Sequence, residues 1–236
     1  MTATPNGTLI SGATGDIGGT IARSLHATGR PLLLLGRDEE RLAKLAAELP
    51  GATPVLGDVG RPDELAGALD GRLPDRLDAM VHAAGICERE PALESTPDVV
   101  RAHLEVNLVG PAELTRLALP ALRAARGHVV LLNSLVGLYP WPGWSGYAMS
   151  KYGLRAFGET LRLEEFENGV RVTSIFASRV ATKLQAKVHA QEGKEYQPEE
   201  WVRPESIAQA VLNALDFPRD GELSDITLKH QPYPRP

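Results

Sequence analysis

Tyr147 and Lys151 stand four residues apart in Gly146-Tyr147-Ala148-Met149-Ser150-Lys151. On a helix that spacing turns both side chains to one face. A free phenol ionises near pH ~10, and a neighbouring ammonium stabilises the phenolate. A lowering of about 3 units would amount to roughly 4 kcal/mol of differential stabilisation. Such a tyrosine can give a proton to a carbonyl oxygen or take one from an alcohol. Ser134, in Asn133-Ser134-Leu135-Val136-Gly137, follows a β-type run and would hold the reacting oxygen as an oxyanion donor. Asn107 lies within a helical pattern, in Glu105-Val106-Asn107-Leu108-Val109-Gly110. A Tyr-x-x-x-Lys pair arises by chance on many helices, so this one gains weight only from what accompanies it.

The first companion is Ser11-Gly12-Ala13-Thr14-Gly15-Asp16-Ile17-Gly18, between a strand-like run and a helical pattern. A pyrophosphate must approach the backbone and the helix N-terminus closely, and Gly12, Gly15 and Gly18 each remove a side chain that would block it. The plainer reading is a turn that packs helix on strand. An acid at Asp16 would repel a pyrophosphate, so it is expected to turn outward and cap the helix. The second strand ends at Leu35-Gly36-Arg37, where NAD sites usually carry an acid for the ribose 2′-hydroxyl. Gly36 and then Arg37 suit a 2′-phosphate instead, so NADP(H) is expected over NAD(H). Asp58-Val59 follows the third strand, where the acid would meet the adenine amino group. His82-Ala83-Ala84-Gly85 closes the fourth strand with small residues that let it approach a cofactor.

These residues need a frame. Short apolar runs alternate with longer helical patterns. Strands are expected at 7–11, 31–35, 52–56, 77–84, 127–133, 170–177 and 224–229. Helices are expected at 16–28, 38–49, 63–69, 97–125, 146–168 and 204–215, with Pro111 and Pro120 bending or dividing the fourth. Such alternation predicts an α/β, Rossmann-like, doubly wound parallel sheet of about seven strands with helices on both faces, as one domain over 1–236. Its ligand crevice lies at the carboxyl ends of the strands. The charged, broken stretch 180–202 reads equally as a lid over that crevice or as a surface insertion.

The chain has 236 residues, 43% of them hydrophobic, and a net charge of −5. That length and composition suit one large core. Lys and Arg are scattered, which argues against nucleic acid as the main partner. No apolar run would span a bilayer, and no membrane partner is expected. With Cys87 the single cysteine, an intrachain disulfide is impossible; together with a polar start, this makes the cytoplasm the expected compartment. The histidines lack metal-ligand spacing, so no metal is expected.

Taken together, Ser11–Gly18, Asp58-Val59, His82–Gly85, Asn107, Ser134, Tyr147–Lys151 and Val170–Thr182 resemble the short-chain dehydrogenase/reductase family, in order and spacing, over nearly the whole chain. The resemblance implies that Tyr147 is the proton donor or acceptor and Ser134 positions the substrate oxygen. It implies that Lys151 lowers the Tyr147 pKa and binds the nicotinamide ribose. Asn107 would hold a water linking Lys151 to solvent, and Val180-Ala181-Thr182 would contact the nicotinamide carboxamide. Hydride would pass between nicotinamide and substrate carbon. It also implies a homodimer or homotetramer formed through the helices at 97–125 and 146–168. Three departures stand out. Asp16 occupies a usual glycine position, His82-Ala83-Ala84-Gly85 replaces Asn-Asn-Ala-Gly, and Ala177-Ser178 replaces Pro-Gly.

Leu138-Tyr139-Pro140-Trp141-Pro142-Gly143-Trp144 lies between Ser134 and Tyr147. With Leu135, Trp141 and Trp144 suggest a broad apolar wall, hence a bulky apolar or aromatic ketone or alcohol as substrate. These tryptophans would serve a subunit interface as well. Trp201 is expected to close over the site, and Arg179 to lie at its mouth. Two other activities fit the scaffold: a dehydratase, epimerase or cyclase without net redox, and an NADP(H)-sensing protein without turnover.

Overall fold

The computed structural model describes residues 6–231; residues 1–5 and 232–236, the ends of the expected span, lie outside the described residues. Seven strands form one parallel sheet: β1 (Thr8–Ser11), β2 (Leu32–Gly36), β3 (Thr53–Leu56), β4 (Ala79–His82), β5 (His128–Ser134), β6 (Arg171–Ala177) and β7 (Asp225–Leu228). Their order is β3-β2-β1-β4-β5-β6-β7. The chain therefore builds outward from β1 in one direction, returns, and builds outward from β4 in the other. The gap between β1 and β4 is the switch point where such sheets bind ligands.

β2 explains why the sheet is buried on both faces. Its residues Leu32-Leu33-Leu34-Leu35 are all buried, and successive side chains point to opposite faces. Leu33 and Leu35 join the core formed with α3 (Pro62–Leu69), α5 (Gly110–Ala125) and α6 (Ser145–Glu164). Leu32 and Leu34 join the core formed with α1 (Asp16–Ala27), α2 (Glu39–Glu48) and α8 (Pro204–Asp216).

Two expectations are corrected. The helix at 97–125 is divided, but not by its prolines alone. It comprises α4 (Pro97–Leu104), a π-helical turn over Glu105–Val109, and α5. Gly110 N donates to Glu105 O, the i−5 bond of a π turn, and Pro111 follows inside the first turn of α5. Pro120 sits within α5, which runs on past it to Ala125. The stretch 180–202 is not broken throughout, since it contains α7 (Lys183–Gln191). Thr182 caps that helix by accepting from Gln185 N at 3.1 Å.

Candidate active site

At the carboxyl ends of the strands lie two cavities that share a rim at Ala83, Ala84, Gly85 and Ile86. The larger, of about 340 Å³, collects Ser134, Tyr147 and Lys151. The smaller, of about 200 Å³, runs over Gly12, Thr14, Gly15, Arg37, Asp58 and Val59.

The larger cavity is assembled from three elements. Ser134 ends β5 and its Oγ accepts from Val136 N at 3.2 Å. Tyr147 and Lys151 project from the first two turns of α6. Lys151 Nζ lies 5.8 Å from the Tyr147 ring centroid and donates to Leu132 O at 3.0 Å. Asn133 fixes this geometry across the β5–α6 gap. Its Nδ2 donates to Lys151 O at 3.1 Å, and its Oδ1 accepts from Ser134 N at 2.8 Å. Neither bond was legible in the sequence, although Asn133 sits next to a residue that was.

Asn107 stands at the centre of the π turn and is fully buried. Its amide spans three partners. Oδ1 accepts from Ile86 N at 2.9 Å, and Nδ2 donates to Ile86 O at 2.9 Å and to Ser150 Oγ at 3.0 Å. Ser150 Oγ in turn donates to Tyr147 O at 2.7 Å. The amide thus ties the loop after β4 to the second turn of α6. His103 adds a second tie: its Nε2 accepts from Glu88 N at 3.1 Å, while its ring lies edge-on to Tyr147 at 6.2 Å.

The charge states differ from expectation. Burial raises the Tyr147 phenol above its ordinary value; the Cys87 thiol pushes the same way, and a hydrogen bond with Ser134 opposes both. Burial pushes the Lys151 ammonium down to about 8. Burial, the largest influence on this phenol, acts against the lowering expected from Lys151. At neutral pH the phenol holds its proton.

The smaller cavity passes the test for a dinucleotide. Gly12 has φ +64°, and a Cβ there would stand 2.6 Å from the backbone of Ala84. A Cβ on Gly18 would stand 2.2 Å from Gly12 O, so that glycine serves helix–strand packing. Gly15, the N-cap of α1, offers no side chain to the first-turn amides, which leaves that helix end to an external anion. Asp16 does not cap α1. It is the first residue of the helix, and its carboxylate instead accepts from Lys183 N, at the start of α7, at 2.7 Å. Arg37 is 70% exposed and lies 3.8 Å from the Asp58 carboxylate, whose Oδ1 also accepts from Gly60 N. Arg41, which sequence reading passed over, lines the same cavity and donates to Thr14 O.

The remaining residues divide. Ile17, Val180, Thr182, Leu135, Trp141 and Trp144 line the larger cavity. Trp144 is buried, 5.8 Å from Tyr147 between ring centroids, whereas Trp141 is half exposed at the lip. Trp201 does not close over the cavity. It packs between His189 and His230, with Arg179 over its face at 5.4 Å. Arg179 reaches the cavity wall, but its guanidinium is held by Glu192 through bonds of 2.9 and 2.6 Å. His82 supports β4 in place of an amide, with Nε2 2.9 Å from Thr115 Oγ1. Cys87, Gln185, Lys229 and His230 also line the wall and were missed, since no local pattern links them to Tyr147. Among the described residues no group of three or more His, Cys, Asp or Glu could hold a metal, and no helix is long and apolar enough to cross a membrane.

The fold and this site define a nicotinamide-dependent oxidoreductase class, and comparison with known proteins gives the family. A family model described as short chain dehydrogenase matches residues 6–193. Dehydrogenase/reductase SDR family member 7B of Bos taurus is 34% identical over 225 residues, covering 88% of this chain and 69% of that protein. Oxidoreductase UcpA of Escherichia coli K12 is 31% identical over 219 residues, covering 89% and 80%. Among solved structures, an alcohol dehydrogenase from Thermococcus sibiricus complexed with 5-hydroxy-NADP superposes with a TM-score of 0.84 at 26% identity, covering 98% of each chain. The chain belongs to the short-chain dehydrogenase/reductase family.

Proposed function

We propose that this enzyme is an NADP(H)-dependent ketoreductase or alcohol dehydrogenase acting on a bulky, largely apolar carbonyl or hydroxyl compound. The observation that carries the reading is the shared rim at Ala83–Ile86, which joins the glycine-loop cavity to the one holding Ser134, Tyr147 and Lys151. The nucleotide, when bound, supplies or accepts the hydride. Gly12, Thr14 and Gly15 would line its diphosphate, Asp58 and Val59 its adenine side, and Val180 and Thr182 its nicotinamide side. Ser134 orients the substrate oxygen. Tyr147, whose phenol burial keeps protonated, delivers the proton that a carbonyl oxygen takes up when hydride arrives and receives it back in the reverse reaction. Lys151 holds the backbone end of β5 through Leu132 and faces the phenol. Asn107, bonded within the protein, keeps the loop after β4 and α6 in register. The apolar wall of Leu135, Val136, Trp144, Leu184 and Val188 favours a hydrophobic substrate body. We further propose a cytoplasmic homodimer or homotetramer.

The preference for NADP(H) rests on Arg37 and Arg41 at one end of the smaller cavity. It is tested by titrating wild type and Arg37→Ala with NADPH and NADH, following tryptophan fluorescence. Wild type should bind NADPH at least tenfold tighter, and Arg37→Ala should lose most of that margin. Equal affinity of wild type for both nucleotides would remove the preference and leave the carbonyl chemistry standing.

A further inference from the structure

The larger cavity carries an unbalanced charge. Its lining includes the cations Lys151, Arg179 and Lys229 and, among the described residues, no Asp or Glu. This holds in a chain whose net charge is −5. Two of the cations are spent. Lys151 is buried under Tyr147 with its ammonium on Leu132 O, and Arg179 is paired with Glu192. Lys229 reaches the cavity without a carboxylate partner among the described residues.

Lys229 is exposed at the rim, and the backbone that carries it is held in place. Leu228 pairs with Ala177 in the β6–β7 register, and Leu228 O accepts from Ser178 N at 2.8 Å. On the other side of Lys229, His230 N donates to Ser178 Oγ at 2.9 Å. The backbone on both flanks of Lys229 is thus fastened to one serine, and that serine stands where the family pattern has glycine. His230 packs edge-on against Trp201 at 4.9 Å, which steadies the same turn.

The position selects the ligand. β7 is the edge strand, separated from β1 by β4, β5 and β6. Four strand spacings are about 19 Å. The glycine loop follows β1, so an anion at Lys229 is far from the diphosphate end of a nucleotide and beyond the β5 and β6 ends that carry Ser134 and Ala177. The cavity that holds both Lys229 and Ser134 is lined largely by apolar side chains, Val136, Trp144, Leu184 and Val188 among them, with Ser178, Arg179 and Gln185 as polar members.

We propose that Lys229 binds an anionic group at the far end of the substrate, so that the enzyme acts on carbonyl compounds with an apolar body and a carboxylate. This inference rests on reading the larger cavity as the substrate site. A single ammonium meets a carboxylate at the edge of the cavity as a point charge, without the second donor that a bidentate clamp would need. The attraction is partly open to solvent and weakens as salt screens it.

The test uses two unreactive probes of the same body, cyclohexylpropanoate and cyclohexylpropanamide, read by tryptophan fluorescence with and without NADP⁺. Wild type should bind the carboxylate at least tenfold tighter than the amide. Lys229→Gln should bring the two within about twofold, Lys229→Arg should restore most of the margin, and raising salt should narrow it. Equal binding of the two probes by wild type, binding of neither, or a carboxylate margin that survives in Lys229→Gln would overturn the proposal. So would a loss of NADP⁺ affinity in Lys229→Gln with the probe margin intact, which would assign Lys229 to the nucleotide. Hydride transfer is read separately, from NADPH oxidation with a matching oxo acid. A carboxylate margin without turnover would sink the reductase reading and leave the anion site; turnover of oxo acid and neutral ketone alike would do the reverse.

Discussion

At the scale of single residues, the site is organised around a phenol kept neutral by its surroundings. Tyr147 is enclosed by Cys87, Trp144, His103 and Ser134, and Lys151 beside it is itself pushed down to about 8 by burial. A protonated phenol and a weakened ammonium suit delivery of a proton to an oxygen that gains negative charge as hydride arrives. Tyr147→Phe removes that proton and little else, since the ring keeps its contacts. Turnover with NADPH and a bulky ketone should fall by between about 10² and 10⁴, the usual worth of a placed acid, while NADPH affinity stays within about twofold. Retention of more than a tenth of wild-type kcat would show that another group carries the proton. Ser134, Tyr147 and Lys151, which the fold brings to one cavity, were legible because their types and spacing are set by chemistry; Asn107 was legible as a residue of interest, but its bonds to Ile86 and Ser150 were not. Asn133, Ser150 and His103 were not, because they act by hydrogen bonds between elements that only the fold brings together. The direction of the Tyr147 shift was also out of reach, since it depends on burial and not on the neighbour four residues away.

Elements with a continuous buried face were the plainest to read, although the lightly buried strands β3 and β7 were also expected. The four leucines of β2 and the core faces of α1, α5 and α8 wrote their periodicity into the chain. α7 did not: among Lys183–Gln191 only Val188 and His189 are buried, so no apolar stripe marks it. Its start was nevertheless signalled by Thr182 followed three residues later by Gln185, a helix-cap pattern. What holds this lightly buried helix is a set of polar ties. Asp16 accepts from Lys183 N, Lys187 pairs with Glu88 at 2.6 Å, and Arg179 clamps Glu192 just beyond its end. The Asp16 tie joins the glycine loop to the wall of the substrate cavity. Asp16→Ala should destabilise α7 locally by about 1 kcal/mol, as loss of a capping acceptor does, and so speed amide hydrogen exchange across 183–191 by about fivefold. Asp16→Asn, which keeps an acceptor oxygen, should lie nearer wild type. Unchanged exchange in Asp16→Ala would mean that the other ties suffice and that the glycine loop does not restrain the helix.

For the molecule as a whole, two buried histidines bridge neighbouring elements through hydroxyls and so link the pH of the solution to the stability of the sheet. His82 on β4 meets Thr115 on α5, and His128 on β5 meets Thr173 on β6 at 2.7 Å. Each threonine hydroxyl donates onward to a backbone oxygen, Thr115 to Pro111 and Thr173 to Leu223, so each imidazole serves as the donor through Nε2. Each Nδ1 is buried without a partner among the described residues, and protonating it would bury an uncompensated charge. Burial accordingly lowers both rings from an ordinary 6.5 to about 3. Because the folded value is depressed, the stabilisation is complete above pH 6.5 and is lost as pH falls from there toward 3, where the unfolded chain binds protons that the folded one refuses. Each histidine can contribute a slope approaching about 1.4 kcal/mol per pH unit within that window. The carboxylates of Glu165 and Glu192, held down by the hydrogen bonds of Arg123 and Arg179, lie below an ordinary 4.5 and so act only in more acid solution. The range from pH 6.5 to 5 therefore isolates the histidines. Urea unfolding of wild type across that range should show stability falling with a slope that grows from about one proton near pH 6.5 to nearly two near pH 5. His82→Asn, which can still donate to Thr115, should fall with about half that slope. An identical slope in wild type and variant would mean that His82 is protonated in the folded sheet, and that β4 tolerates a charge that its apolar surroundings give no reason to expect.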